Sequence, residues 1–435
     1  MKLNRTAVAV ALVMAGGSAL GQQAGAPVTA ETSVQLYGHL DVSIDDITKG
    51  IAGKTRAVEP AATIPATGKL GYQSDISSNL SYVGVRGSQT LGSSGLRGVF
   101  QVETQLDVAS TPGTGIPDGS VKGAWASRNS FVGLAGGWGA FKIGKTDAPY
   151  KLSTARMDPF ASSIGDYNSI MGNTGGDNRA EFDTRLSHAA WYESPSMGGF
   201  RVNALYAPGQ NRSSDNSTPA SGEPNCTGGN TPPCTDGSFG NAYSIAGIYE
   251  AGPLYLIAAL EKHSDVNRTG DDATGGGPAP AGAVGIGDEQ AWKLGAQYSF
   301  PTNTTLNLIV ERLTRHGSVA DFNERQHTGF WLAATQKVSA NDDVNIGWAH
   351  AGKTPGTPDG PLDNQANMLA IGYKHHFNRQ ANWYAVYARQ DNKDGAHYDL
   401  GASGHGITTD CHDAAGNCYP GGKIQGLSVG MQYNF

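Results

Sequence analysis

The nine residues Leu427–Phe435 alternate without a break between apolar and small or polar side chains. Successive strand residues point to opposite sides, so Leu427, Val429, Met431, Tyr433 and Phe435 share one face of a strand. A fully apolar strand face needs a dry core or lipid against it. Composition favours lipid, because hydrophobic residues make up only 38% of the chain and glycine takes 61 of 435 positions. That mixture suits a closed sheet one strand thick, apolar outside and wet inside.

Similar alternating segments recur near residues 34–42, 79–90, 96–107, 124–135, 140–146, 185–194, 199–208 and 240–250. They continue near 253–263, 289–300, 304–314, 326–338, 342–351, 366–377, 381–390 and 423–435. In the first, Val34, Leu36, Gly38, Leu40 and Val42 fall on one side. Trp383 to Tyr387 departs from the pattern, being apolar on both faces. Glycine-rich turns such as 91–95, 136–139 and 195–199 alternate with long Gly, Asp, Asn and Pro loops. Sixteen strands with short and long connections in turn predict an all-β fold, a transmembrane antiparallel β-barrel over residues 22–435. Short periplasmic turns and long extracellular loops go with it. No segment after the N-terminal one approaches the ~20 apolar residues of a membrane helix.

Lys2 and Arg5 precede the apolar run Ala7 to Ala15, and Ala19-Leu20-Gly21 supplies small residues for cleavage. Residues 1–21 are therefore expected to be a cleaved export signal, with an alternative end at 26. Removing 1–21 leaves 414 residues and takes the formal charge from −7 to −9. An acidic chain without a basic run argues against a nucleic-acid partner. Cys226 with Cys234, and Cys411 with Cys418, flank loop-like stretches, so two local disulfides are expected in an oxidising compartment. A zinc site would want closer spacing.

Residues 139–146 and 347–354 both match the phosphate-loop pattern G-x₄-G-K-[ST]. The first is strand-like and the second runs into Pro355, so neither provides the helix start that receives a phosphate. His375 and His376 should point to opposite strand faces, and the Asp342-Asp343 and Asp271-Asp272 pairs lack calcium-loop spacing. No cofactor, metal or catalytic set is expected. Ser403 and His405, in a Gly-rich loop, are the nearest approach to a hydrolase constellation. A solute-preferring channel of the same fold, an outer-membrane hydrolase and an adhesin built on the cysteine loops are the rival readings.

Several stretches together resemble the Gram-negative general porin family. Leu36-Tyr37-Gly38-His39-Leu40-Asp41 is similar to its first strand, and Leu96–Glu103 and Ser127–Leu134 to its third and fourth. Asp158-Pro159-Phe160, Gly165–Gly172, Ser194–Phe200 and Gly426–Phe435 follow in the family's order. The resemblance implies a homotrimer of sixteen-stranded porin barrels in a bacterial outer membrane, passing ions and small hydrophilic solutes passively. Outer-membrane lipids and the barrel assembly machinery are its implied partners, with Phe435 as the assembly signal.

It also implies that the third extracellular loop, about 147–184, folds into the pore and constricts it. That loop offers Asp158, Asp166, Asp177, Glu181 and Asp183, and the facing wall offers Arg128, Lys145, Arg185 and His39. Opposed acids and bases would set a transverse field favouring polar solutes. Asn79 and Val83 stand where the family's second strand often carries cations, which leans toward weak cation preference or none. The last strand is expected to pair with Val34 to Val42.

Overall fold

The computed structural model describes residues 32–48, 71–92, 95–109, 125–172, 182–208, 241–267, 286–316, 325–353, 365–393, 396, 398–400 and 421–435. The expected export signal, the four cysteines, Asp177, Glu181, Ser403 and His405 lie outside these residues. The alternating segments form β1 (Thr32–Thr48), β2 in two pieces (Tyr72–Ser78 and Tyr82–Thr90), β3 (Arg97–Gln105), β4 (Ser130–Gly136) and β5 (Gly139–Asp147). They continue as β6 (Arg185–Glu193), β7 (Phe200–Pro208), β8 (Asn241–Ala251), β9 (Leu254–Asn267), β10 (Ile286–Ser299) and β11 (Thr304–His316). The wall is completed by β12 (Arg325–Lys337), β13 (Asp342–Ala351), β14 (Ala366–His376), β15 (Ala381–Asn392) and β16 (Lys423–Asn434). Each strand pairs antiparallel with the next and β16 pairs with β1, which closes the barrel.

Strand β2 is one strand with a break. Its first piece pairs with Val42–Thr48 and its second with Thr32–His39, both along β1. Between them Leu80 adopts φ 54°, a left-handed conformation that interrupts the ladder. The fourth strand begins at Ser130 rather than 124, because Ala126 at φ 59° turns the chain just before it. The first phosphate-loop match lies on β5, which runs through Lys145 as a strand, and residues 347–351 of the second lie on β13, with Thr354 outside the described residues.

Closure also departs from expectation. β16 pairs with His39–Ile47, so only His39–Val42 of the expected Val34 to Val42 are in the ladder and the pairing runs on to Ile47. Strands of a barrel are staggered as they tilt, so the periplasmic end of β1 projects past the end of β16. At the seam Phe435 donates its N–H to Gly38 O at 3.1 Å and accepts from Gly38 N at 3.0 Å. A side chain at 38 would sit within 2.7 Å of the Phe435 ring.

The expected apolar face of β16 is the outer one, with Met431 59% exposed, while Ser428 on the other face is fully buried. Val34, Val132, Ile143, Leu294 and Ile346 are exposed in the same way on other strands. Such a surface around a whole molecule matches lipid rather than water. Lys262, Arg312, His350 and Arg389 end this belt, each eight residues beyond the first residue of its strand. That is roughly 26 Å along a strand, or about 20 Å of height at a ~40° tilt, close to the apolar band of an outer-membrane barrel.

Candidate functional site: the pore constriction

The loop from β5 to β6 leaves at Asp147, runs through a short helix α1 (Pro149–Leu152), and returns at Arg185. It folds inward because its apolar side chains find an apolar stretch of inner wall. Met157, Phe160, Ile164, Ile170 and Met171 are buried in one cluster with Trp331, Ala349, Ala370 and Val386 of β12–β15. Burial of each large side chain contributes roughly 1.5–3 kcal/mol. Glycines floor this seat. A methyl group on Gly295 would come within 3.1 Å of the Met157 sulfur, and one on Gly372 within 2.9 Å of the Phe160 ring. Trp331 donates its indole N–H to Met157 O at 3.1 Å, and Tyr255 its hydroxyl to Ser153 O at 2.8 Å.

Two of the described loop carboxylates, Asp158 and Asp166, accept from the loop's own backbone. Asp158 accepts from the backbone N–H groups of Phe160 (2.9 Å) and Tyr167 (3.2 Å). Asp166 accepts from Ser162 N and Asn168 N, each at 2.9 Å. Burial, with the Asp166 carboxylate beside it, pushes Asp158 well above the usual carboxylate range. Asp183 is ion-paired with Lys293 of β10, and burial raises its carboxyl too. Asp158 and Asp166 brace the loop from within, and Asp183 ties it to the wall.

The facing wall carries a set of paired charges. Arg128, just before β4, holds Glu103 of β3 at 2.6 Å and lies 4.7 Å over the Tyr82 ring. Arg185 donates to Asn129 Oδ1 at 2.7 Å and sits 3.1 Å from Asp147, which Lys151 also approaches at 3.2 Å. His39 hydrogen-bonds Asn434 at 2.8 Å and lies 3.8 Å from Asp41. Lys145 is half-buried in β5 opposite Ser130, and its side chain has no hydrogen bond or ion pair among the described residues.

Arg86, passed over in the sequence, stands on the inner face of β2, its guanidinium 4.7 Å over Tyr37. Val83 points outward, paired with Gly38, so the second strand does present a lumen cation, at Arg86, three residues after Val83. Asn79 is inward, donating to Ser43 at 2.9 Å and Tyr384 at 3.0 Å. His375 and His376 pair separately with Asp342 (2.7 Å) and Asp343 (2.8 Å). Among the described residues no three His, Cys, Asp or Glu side chains gather to hold a metal.

A closed barrel with a loop folded against its inner wall and paired charges beside it is suited to passing hydrated solutes without chemistry. Comparison with known proteins agrees. The profile of the Gram-negative porin family matches residues 7–395. Outer membrane porin protein 32 of Delftia acidovorans is 22% identical over 434 residues, all of both chains. The major outer membrane protein P.IB of Neisseria gonorrhoeae is 30% identical over 194 residues, 44% of this chain and 48% of that protein. Among solved structures, the anion-selective porin from Comamonas acidovorans superposes with a TM-score of 0.67 at 20% identity, covering 93% of this chain and all of that one. OmpT of Vibrio cholerae gives 0.61 at 14% identity, covering 94% and 99%. With its barrel closed, its loop inside and its sequence matched along nearly its whole length, the chain belongs to the Gram-negative porin family and is an outer-membrane channel.

Proposed function

We propose that this porin is a weakly selective diffusion pore for ions and small hydrophilic solutes, working as a homotrimer. The pairing of the wall charges carries the reading. Arg128 is neutralised by Glu103 at 2.6 Å, and Asp147 lies between Arg185 and Lys151. Fields of close pairs fall off faster than those of single charges, so neither ion sign is strongly repelled. The Comamonas neighbour is described as anion-selective, and a V. cholerae OmpT structure as a trimer. At 20% and 14% identity these likenesses support the architecture, and selectivity rests on this chain's own charges.

The zero-current potential across a tenfold potassium chloride gradient tests this. It should stay well under the ~59 mV of an ideally selective pore. Glu103→Gln leaves Arg128 uncompensated and should shift the potential toward anions. Arg128→Gln leaves Glu103 and should shift it toward cations. Two shifts of the same sign, or none, would contradict the proposed pairing.

A further inference from the structure

We propose that Lys293 and Glu311 set the width of the pore, although both lie beneath the loop and neither meets a passing solute. The inference rests on the diffusion-pore reading. Lys293 is 1% exposed and Glu311 fully buried, on the adjacent strands β10 and β11. Lys293 donates to Thr154 Oγ1 at 3.0 Å, pairs with Asp183, and lies 3.8 Å from the centre of the Tyr150 ring. Glu311 accepts from Gly172 N at 2.7 Å and from the Tyr150 hydroxyl at 3.1 Å.

The geometry of these bonds is what matters. Tyr150 and Thr154 belong to the outgoing limb of the loop, and Gly172 and Asp183 to the returning one. Each wall residue therefore ties both limbs at once. Between the limbs themselves Ala148 N donates to Thr184 O at 3.1 Å, and within the returning limb Phe182 N donates to Gly172 O at 3.0 Å. The apolar seat under Met157 and Phe160 holds the tip, and a greasy contact tolerates sliding. A buried ion pair with directed hydrogen bonds tolerates little, because an off-register position strands a charge. Gly329, across from Glu311, leaves the room this requires, since a methyl there would lie 3.1 Å from both Glu311 and the Met171 sulfur. How far the loop reaches across the lumen is thus fixed from behind.

The test is single-channel conductance together with liposome swelling in sugars of increasing size. It is made on the full chain, for wild type, Lys293→Met/Asp183→Asn and Glu311→Leu. The double variant removes both partners of the Lys293–Asp183 pair together. Released limbs can withdraw toward the extracellular mouth, so conductance should rise by about 1.5- to 2-fold and larger sugars should enter. Lys293→Arg should restore the wild-type cutoff. Thr154→Val and Tyr150→Phe leave the barrel wall untouched and should shift the cutoff in the same direction by less. They keep the test open if the core variants fail to assemble. Wild-type conductance and cutoff in assembled variants, Thr154→Val and Tyr150→Phe included, would overturn the proposal. A wild type that does not conduct would instead refute the diffusion-pore reading.

Discussion

Gly38→Val should lower the yield of assembled barrel by at least ~10-fold, read as the heat-modifiable band in outer-membrane fractions. The Phe435 ring lies against the Cα of Gly38, and a side chain there would enter it. Losing that fit breaks the reciprocal backbone bonds between 38 and 435 at the one seam that joins the chain's first and last strands. An open edge in hydrocarbon costs several kcal/mol per unmet group, so closure is close to all or none. Deleting Phe435 removes the same lock and should act on yield in the same way. In both cases the channels that do form should conduct as wild type, because the Phe435 ring belongs to the exposed outer face of the barrel and not to the lumen. Wild-type yield for Gly38→Val would show that the terminal ring does not hold the seam.

Gly347→Leu is the second large effect. Gly347 faces the rings of Trp331 and Phe160, and even a methyl group there would overlap them. Overpacking of this kind costs typically 1–3 kcal/mol and is relieved where the structure is softest, which is the loop rather than the ladder. Phe160 should be pushed off its seat toward the pore axis, and conductance should fall to roughly half with strand content unchanged. Phe160→Ala should leave the seat half empty and cost about 3–5 kcal/mol of loop anchoring. Its signature would be a noisy open-channel current. Unchanged or higher conductance for Gly347→Leu would mean the glycine floor does not position the loop.

The barrel is legible in the sequence because lipid enforces a rule that residues cannot hide. Met431, Leu294 and Ile346 had to face outward, so strand phase and strand number could be read from alternation. The constriction follows no such rule. Asp158 and Asp166 look like pore-lining acids until the loop folds and its own N–H groups claim them. Trp383 to Tyr387 looked irregular because the inner face of β15 is covered by the loop, with Val386 buried beside Phe160. Arg86 was missed for a local reason. Asn79 and Val83 would share a face of an unbroken strand, but the break at Leu80 flips the phase, turning Val83 out and Arg86 in. Lys293 and Glu311 fit the inward phase, yet nothing in one strand reveals that a distant loop will lie on them.

The central claim is a permanently open, water-filled pore with a fixed constriction. Planar-bilayer recording of the purified protein tests it most directly. The account predicts steady steps on the order of a nanosiemens, appearing in threes, with current rising in proportion to salt concentration. Silence in the bilayer would contradict it, and so would a current that saturates at low concentration of one solute and is blocked by that solute's analogues.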